Sequence, residues 1–79
     1  GNLGQSNSLV SGMPGKIVKI FVKPGDLVKK GDPLLIMEAM KMENEMRANG
    51  EALIKSVSVK PGDTVECGVV LIGFEQPSA

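Results

Sequence analysis

The 79-residue chain contains no Trp, Tyr or His and only two Phe residues. Without histidine it lacks imidazole groups for general-base catalysis and for metal ligation, and with so few aromatic rings it has little to stack on nucleic acid bases. Nine basic and nine acidic residues give a formal net charge of zero, so no overall positive field favours nucleic acid or an anionic membrane. We therefore expect a protein or a small molecule as the partner, and no nucleic acid.

Cysteine and long apolar runs are also scarce. Cys67 is the only cysteine, so an internal disulfide is impossible and the lone thiol is compatible with a reducing compartment. No apolar run approaches the roughly 18 residues of a membrane span, which predicts a soluble protein with no direct membrane insertion. Because the chain begins with Gly1 and not with Met, we expect it to be a piece of a longer polypeptide.

The chain contains an internal duplication. A shift of 37 positions lays residues 17–38 over residues 54–75, with 10 identical pairs in 22. The identical pairs are Ile17/Ile54, Val22/Val59, Lys23/Lys60, Pro24/Pro61, Gly25/Gly62, Asp26/Asp63, Val28/Val65, Gly31/Gly68, Leu34/Leu71 and Glu38/Glu75. Two such copies predict two similar halves related by a pseudo-twofold axis.

Each copy has the pattern of short strands separated by turns. A run rich in β-branched residues ends at Lys-Pro-Gly-Asp, which favours a tight turn, and a second glycine precedes another apolar run. This predicts about four strands per copy and an all-β domain whose two halves bury a core between them. The expected core residues are Ile17, Ile20, Val22, Val28, Leu34, Ile54, Val57, Val59, Val65 and Leu71.

Residues 1–12 are rich in Gly, Ser and Asn, a composition typical of a flexible linker. The sequence therefore predicts a linker at residues 1–12, a folded domain at residues 13–76 and a short tail at residues 77–79. Near the start of the second copy, Ala52 occupies the position of Gly15 in the first, so we expect the chain to turn at Gly50 instead.

The segment between the two copies has an unusual turn sequence. Met40 and Lys41 lie where the last strand of the first copy turns into the second, although turns are usually made of Gly, Asn, Asp, Ser or Pro. We expect Lys41 to lie at the tip of an exposed hairpin, and flexible thioethers at Met40 and Met42 suit contact with several partner surfaces.

Residues Glu38 to Met42 read Glu-Ala-Met-Lys-Met, and this stretch, with the duplication and the "MPG" of Met13 to Gly15, closely resembles the biotinyl domain. The resemblance covers residues 11–75. It implies a flattened β-barrel or sandwich of two four-stranded antiparallel sheets, without the protruding thumb loop found in some carriers. It also implies covalent biotin on Lys41, with Glu38, Ala39, Met40 and Met42 recognised by a ligase and by partner sites.

The resemblance further implies a role and a set of partners. A biotinyl domain is a carboxyl carrier of a biotin-dependent carboxylase or decarboxylase and has no catalytic site of its own. Its partners are a biotin protein ligase and the biotin carboxylase and carboxyltransferase domains or subunits. "KMEN" looks more like the pyruvate, propionyl-CoA and decarboxylase carriers, and the implied compartment is intracellular, either the cytoplasm or the mitochondrial matrix.

Two other hypotheses remain open from the sequence. A lipoyl carrier domain of a 2-oxo acid dehydrogenase shares the duplicated fold, but it typically has Asp-Lys-Ala at the turn. An unmodified β-sandwich adaptor would use the same fold for protein contacts alone and would have no need of Met-Lys-Met.

Overall fold

The computed structural model describes residues 7–77, and the regular secondary structure in that range is entirely β-strand. The strands are β1 (Ser8–Val10), β2 (Gly15–Ile20), β3 (Leu27–Val28), β4 (Pro33–Ala39), β5 (Met42–Arg47), β6 (Ala52–Val57), β7 (Thr64–Val65) and β8 (Val70–Glu75). The predicted all-β class is thus confirmed. Residues 1–6 and 78–79, which hold the first half of the predicted linker and most of the predicted tail, lie outside the described residues.

The eight strands form two four-stranded antiparallel sheets with matching topologies. One sheet has the order β5-β4-β2-β7 and the other has the order β1-β8-β6-β3. The 37-residue shift carries β2 onto β6, β3 onto β7 and β4 onto β8, so it also converts the first strand order into the second. The predicted pseudo-twofold duplication is therefore confirmed strand by strand.

The two sheets pack as a sandwich and do not close into a barrel. The pairings of residues 7–77 join strands only within each sheet, which leaves β5 and β7 as the edges of one sheet and β1 and β3 as the edges of the other. The barrel form of the prediction is corrected accordingly. A two-residue strand such as β3 or β7 has too few backbone N–H and C=O groups to form a continuous hydrogen-bonded ladder between the two sheets.

The two Lys-Pro-Gly-Asp turns connect the halves by reciprocal hydrogen bonds. Both glycines have a positive φ of 96°, as the third position of a type II turn requires. The Gly25 N–H donates to the Ile54 carbonyl and the Gly62 N–H donates to the Ile17 carbonyl, each at 2.8 Å. Each turn therefore docks on a core strand of the other half.

The core lies between the sheets, and six of the ten residues predicted for it are buried. These are Ile17, Val28, Leu34, Ile54, Val65 and Leu71. The other four are half-buried and pack against the core from its margin, which corrects the prediction for Ile20, Val22, Val57 and Val59. They lie near or beyond the ends of β2 and β6, where the opposite sheet covers them only in part.

The prediction of core residues from sequence alternation also missed Leu35 in β4 and Ile72 in β8, which are buried. The pairing of β4 with β5 skips Leu34, and the pairing of β8 with β1 skips Leu71. A bulge of this kind inserts one extra residue and breaks the alternation of faces. As a result Leu34 and Leu35 are both buried, as are Leu71 and Ile72.

The N-terminal part of the domain begins before residue 13. Ser8–Val10 forms β1 and pairs with β8, so the linker prediction is wrong for these residues. Leu9 packs against the core and Ser11 is buried. The polar composition of this segment gave no sign of a strand, because the strand has only three residues. The chain bends at Asn49 and Gly50 before β6, and the first half bends at the corresponding residues Gly12 and Met13, so the predicted change of turn near Ala52 is not observed.

The β4–β5 connection and the end of β8 lie at opposite ends of the domain, whose longest dimension is 40 Å. Lys16 of β2 pairs with Glu38 next to this connection and also with Thr64 of β7. Strand β7 is therefore at the hairpin end of the domain, and β8 begins near that end. Strand β8 then runs away from the hairpin to Glu75, which pairs with Leu53. Strand β1 lies beside this far end of β8.

Gly15 tests the close packing of β2 against β4. A Cβ at this position would lie 2.7 Å from the Glu38 carbonyl oxygen and close to the Met37 side chain. We expect Gly15→Ala to reduce the free energy of unfolding by about 1–3 kcal/mol through overpacking, as measured by urea unfolding. Gly12→Ala is the control because no atom lies within 4 Å of its Cβ position, and an equal loss in both variants would contradict this explanation.

Asp26 predicts a pH dependence of stability. Its carboxylate accepts a hydrogen bond from the Lys23 backbone N–H at 3.0 Å and another from Lys23 Nζ at 3.1 Å, and these lower the pKa of Asp26 from 3.8. A lowered folded-state pKa contributes stability above pH 3.8 that is lost as the pH falls through the folded-state value.

We expect Asp26→Asn to have a lower melting temperature than the unmodified chain near pH 7 and to converge with it once the pH falls below the lowered folded-state pKa of Asp26. Thermal unfolding measured from pH 7 to pH 2 provides the check. Lys23→Met should keep most of the dependence, because the backbone N–H is the larger cause. A difference between Asp26→Asn and the unmodified chain that persists at low pH would refute the assignment.

Candidate functional site: the β4–β5 hairpin

The candidate site is the hairpin that joins the two halves of the sequence. Ala39 at the end of β4 pairs with Met42 at the start of β5, which leaves Met40 and Lys41 as a two-residue loop. Their φ angles are 54° and 67°, so both residues are in the left-handed region that a type I′ hairpin turn requires. Lys41 therefore lies at the tip of a hairpin, as the sequence predicts.

Met and Lys are costly residues in this turn. Type I′ turns are usually built from Asn and Gly because other L-residues meet their own backbone at positive φ, at roughly 1–2 kcal/mol each. The ladder below the turn offsets this cost, since β4 and β5 pair from Ala39 down to Pro33 and the Ala39 and Met37 side chains are buried. The strained loop is thus held on a rigid, well-packed base.

The side chains of the loop and of the first β5 residue project into solvent. Met40 is 83% exposed and Met42 is 65% exposed, which rules out a role for either as core filler. Lys41 is also exposed, and within residues 7–77 no hydrogen bond or ion pair is found for its amine. The turn presents a primary amine between two apolar, flexible side chains.

Glu38 and Ala39, the other residues predicted to be recognised, are placed differently. Glu38 is exposed, but the Ala39 side chain is buried. The Ala39 side chain therefore offers little surface to a partner in the free domain, and its recognition stays a prediction. Its methyl group supports the turn from below, and a larger side chain would have to displace core residues.

Carboxylates surround the base of the hairpin. Glu38 of β4 lies directly opposite Glu43 of β5, an arrangement of like charges that is unfavourable in a sheet. Lys16 flanks Glu38 on the other side, and Glu45 is paired with Arg47 further down β5. The Lys41 amine thus lies at the tip of a hairpin whose base carries two opposed carboxylates, Glu38 and Glu43.

Two other kinds of site are absent from the part of the chain that the structure describes. Residues 7–77 contain no group of three or more His, Cys, Asp or Glu side chains that could hold a metal ion. They also contain no helix long and apolar enough to cross a membrane. A cavity of about 430 Å³, lined by Phe21, Leu27 and Pro33 among others, lies at the end of the domain away from the hairpin.

Lys41 has the chemistry needed to hold a carboxylic acid cofactor covalently. A primary amine forms a stable amide with a carboxyl group, and the exposure of Lys41 allows an enzyme to reach it without unfolding the domain. The biotin side chain ends in such a carboxyl group, so the residues present fit this cofactor.

Residues 7–74 match the family model described as "Biotin-requiring enzyme". The chain belongs to this family. It is a biotinyl domain, and biotin is its cofactor, as the Glu-Ala-Met-Lys-Met stretch predicted.

Curated relatives of this biotinyl domain include parts of several carboxylases. The chain is 49% identical over 70 residues to the mitochondrial propionyl-CoA carboxylase alpha chain of Sus scrofa, which covers 89% of this chain and 10% of that protein. It is 43% identical over 67 residues to the biotin carboxyl carrier protein of Streptococcus mutans, covering 85% of this chain and 52% of that one. It thus spans about a tenth of the first relative and about half of the second.

Solved structures with similar folds include a single-chain, multi-domain long-chain acyl-CoA carboxylase. The match has a TM-score of 0.80 at 28% identity and covers 91% of this chain and 7% of that one. The lipoyl domain of the 2-oxoglutarate dehydrogenase complex from Azotobacter vinelandii matches with a TM-score of 0.76 at 24% identity, over 96% of both chains. This second likeness shows a shared fold alone.

Two features of the site were not found by sequence reasoning. The first is the positive φ at Met40 and Lys41, because neither residue type signals a left-handed conformation. The second is the role of Gly15, which lets β2 approach β4 directly beneath the hairpin. The glycine of the "MPG" motif was the available signal for it, since a glycine at a strand position often marks a close backbone approach.

Because Met40 and Lys41 have positive φ angles, a residue that tolerates the left-handed region should increase the stability of the domain when it replaces Met40. Met40→Asn should raise the free energy of unfolding by about 1 kcal/mol, because Asn tolerates the left-handed region. Met42→Asn is the matched control, since Met42 is in a strand, where Asn is unfavourable. Urea unfolding of both variants provides the comparison, and a loss of stability in Met40→Asn would show that the methionine side chain supports folding.

Proposed function

We propose that Lys41 of this carboxyl carrier domain is the residue that receives biotin. The observation that carries the proposal is the exposed amine at the tip of a two-residue turn, with no partner for it within residues 7–77. The other lysines of the described chain lie in strands or in turns of the sandwich body. Lys41 alone is placed between the two halves, inside the Glu-Ala-Met-Lys-Met stretch.

The amine of Lys41 becomes a nucleophile only after it loses a proton, because the lone pair on Nζ must be available to form the amide bond. In the described residues no carboxylate contacts this atom, so we assign the base that removes the proton to a partner. The same partner must supply an activated biotin carboxyl group, whose leaving group departs as the C–N bond forms. We infer that this partner is a biotin protein ligase.

When bound, biotin supplies a ureido nitrogen that can accept a carboxylate and give it up again. The chain contributes position and reach. Lys41 places the attachment point beyond the rigid sandwich, and attachment to a mobile domain raises the local concentration of the cofactor at each site that the domain can visit. We propose that these sites are a biotin carboxylase site and a carboxyltransferase site, and that the domain has no catalytic site of its own.

Met40, Met42 and Glu38 are proposed to be the residues that partners recognise. The two methionine side chains are the most exposed large apolar groups among the described residues, and flexible thioethers adapt to different surfaces. The opposed carboxylates of Glu38 and Glu43 favour a partner with positive charge near the hairpin base. A methionine pair at the tip and carboxylates at the base would orient Lys41 toward a partner active site.

The parent enzyme is proposed to be a multi-domain or multi-subunit carboxylase or decarboxylase that acts on an acyl-CoA or a 2-oxo acid. The support is the likeness to propionyl-CoA carboxylase and to the pyruvate carboxylase of Staphylococcus aureus, at 45% identity over 64 residues. The compartment stays a prediction, either mitochondrial matrix or cytoplasm, since the related alpha chain of Sus scrofa is named mitochondrial. The absence of nucleic acid or membrane partners also stays a prediction.

The attachment site can be tested by mass. Incubation of the chain with a biotin protein ligase, ATP and biotin should add the mass of one biotin, and Lys41→Arg should add none, because arginine keeps the charge but has no primary amine. Intact-mass spectrometry measures both. Lys55→Arg, in an exposed position of β6, is the matched control and should be labelled like the unmodified chain.

Labelling of Lys41→Arg at another lysine would overturn the site assignment. A mass equal to lipoate in the full-length source protein, with no biotin, would instead favour the lipoyl carrier hypothesis. Far-ultraviolet circular dichroism of Lys41→Arg should show the same β-sheet spectrum as the unmodified chain, since Lys41 makes no contact that the sandwich needs.

A further inference from the structure

The second notable surface is the 430 Å³ groove at the end of the domain remote from Lys41. Its lining residues are Phe21, Val22, Asp26, Leu27, Val28, Asp32 and Pro33. Two of its large apolar side chains are open to solvent, with Phe21 38% exposed and Leu27 50% exposed. Leu27 pairs with Leu53, which also pairs with Glu75 at the far end of β8, so the groove is at the end opposite the hairpin.

The duplication provides an internal control for this groove. The 37-residue shift places Ser58 at the position of Phe21 and Thr64 at the position of Leu27. The backbone is the same in both halves, since Phe21 N–H bonds the Leu34 carbonyl and Ser58 N–H bonds the Leu71 carbonyl, each at 2.9 Å. The fold accepts polar residues at these positions, so folding does not explain the exposed Phe21 and Leu27.

The charge around the groove differs between the halves in the same way. Four lysines lie within two residues of side chains that line the groove, and Asp26 and Asp32 line it. These six positions carry four positive and two negative charges, whereas their counterparts in the second half, which include Asp63 and Val69, carry one positive and two negative charges. The lysines are Lys19, Lys23, Lys29 and Lys30, and their counterparts are Ser56, Lys60, Glu66 and Cys67. The first half therefore has a basic margin around an apolar groove, and the second half has not.

Contacts within the domain leave much of this positive charge available. Lys23 is paired with Asp26, and the Asp32 carboxylate accepts a hydrogen bond from the Lys29 backbone N–H at 2.9 Å. Lys19 Nζ lies 5.2 Å above the Phe21 ring. In the described range 7–77, no ion pair is found for Lys19, Lys29, Lys30 or Asp32, so the three lysines and the one carboxylate leave a net positive charge beside the groove.

We propose that this groove is a docking site for an acidic segment of another protein chain that inserts a large apolar side chain between Phe21 and Leu27. Charge complementarity selects an acidic partner, and the groove accommodates its apolar residue. Residues 1–6 and 78–79 do not have that chemistry, because they contain no Asp or Glu.

Docking at the groove leaves the hairpin free. The Leu34 carbonyl accepts a hydrogen bond from the Phe21 N–H at the groove, and Leu34 is six residues before Met40 in the sequence. At about 3.3 Å per residue, the strand between them spans roughly 20 Å. A segment bound in the groove can therefore hold the domain while Lys41 remains exposed. The groove does not require a modified Lys41, so this inference can fail while the biotin assignment stands.

The test uses the isotopically labelled chain and a blocked eight-residue peptide with Leu-Phe at its centre and Asp or Glu at all other positions. Nuclear magnetic resonance titration should give saturable shifts at Phe21, Leu27 and their neighbours, and the affinity should fall with added salt. A peptide with Lys in place of the acidic residues and one with Ser in place of Leu-Phe should each bind at least roughly tenfold more weakly.

Matched variants separate the apolar and the charged contributions. Phe21→Ser/Leu27→Thr introduces the residues that the second half already carries, and it should weaken binding roughly tenfold while the domain remains folded and Lys41 is still biotinylated. Lys19→Ser/Lys29→Glu should weaken binding and reduce its salt dependence. Lys16→Ser/Lys60→Glu changes the charge equally outside the groove and should leave binding nearly unchanged.

Three results would overturn the proposal. The first is equal binding of the acidic and basic peptides, and the second is a set of shifts centred on the hairpin. The third is evidence that something other than an acidic segment occupies the groove. Concentration-dependent self-association that is lost in Phe21→Ser/Leu27→Thr would assign the groove to a second copy of the chain. Preferential binding to anionic phospholipid vesicles would assign it to a membrane surface.

Discussion

The reciprocal docking of the two Lys-Pro-Gly-Asp turns is the constraint on which the rest of the domain depends. Each half alone has only short strands, which cannot cover an apolar face. The Gly25 N–H donates to the Ile54 carbonyl and the Gly62 N–H donates to the Ile17 carbonyl. Each half therefore supplies a turn that covers a core strand of the other. The core is thus completed only when the two halves pair, and it is formed without an internal disulfide, since Cys67 is the only cysteine.

This arrangement also explains where the domain can tolerate strain. The hairpin is the covalent connection between the halves, but no turn-to-strand contact passes through its tip. Met40 and Lys41 can therefore adopt left-handed conformations without loosening the core, provided that the ladder down to Pro33 remains intact. A cost in local stability at a functional turn is acceptable when packing elsewhere determines the conformation.

Much of the architecture could be predicted from the sequence because the duplication is visible in the residues themselves. The turns were predictable from Pro and Gly, and the exposed hairpin from the position of Lys41 between the copies. The bulges at Leu34 and Leu71 could not be predicted, since a bulge depends on the neighbouring strand. Strand β1 was missed for a similar reason, because Ser8–Val10 is stabilised by pairing with β8 and not by its own composition. The burial of Ala39 depends on which face of β4 meets the core, and the bulge at Leu34 changes that face.

The positions of β1 and β8 have a mechanical consequence. The outer end of β8 lies beside β1, with Phe74 N–H bonded to the Asn7 carbonyl, so the described chain enters and leaves the sandwich side by side. A hold on this end of the sandwich would leave the hairpin at the other end of a body 40 Å long. Rotation about such a hold would move Lys41 further than the strands near it, because displacement grows with distance from the pivot.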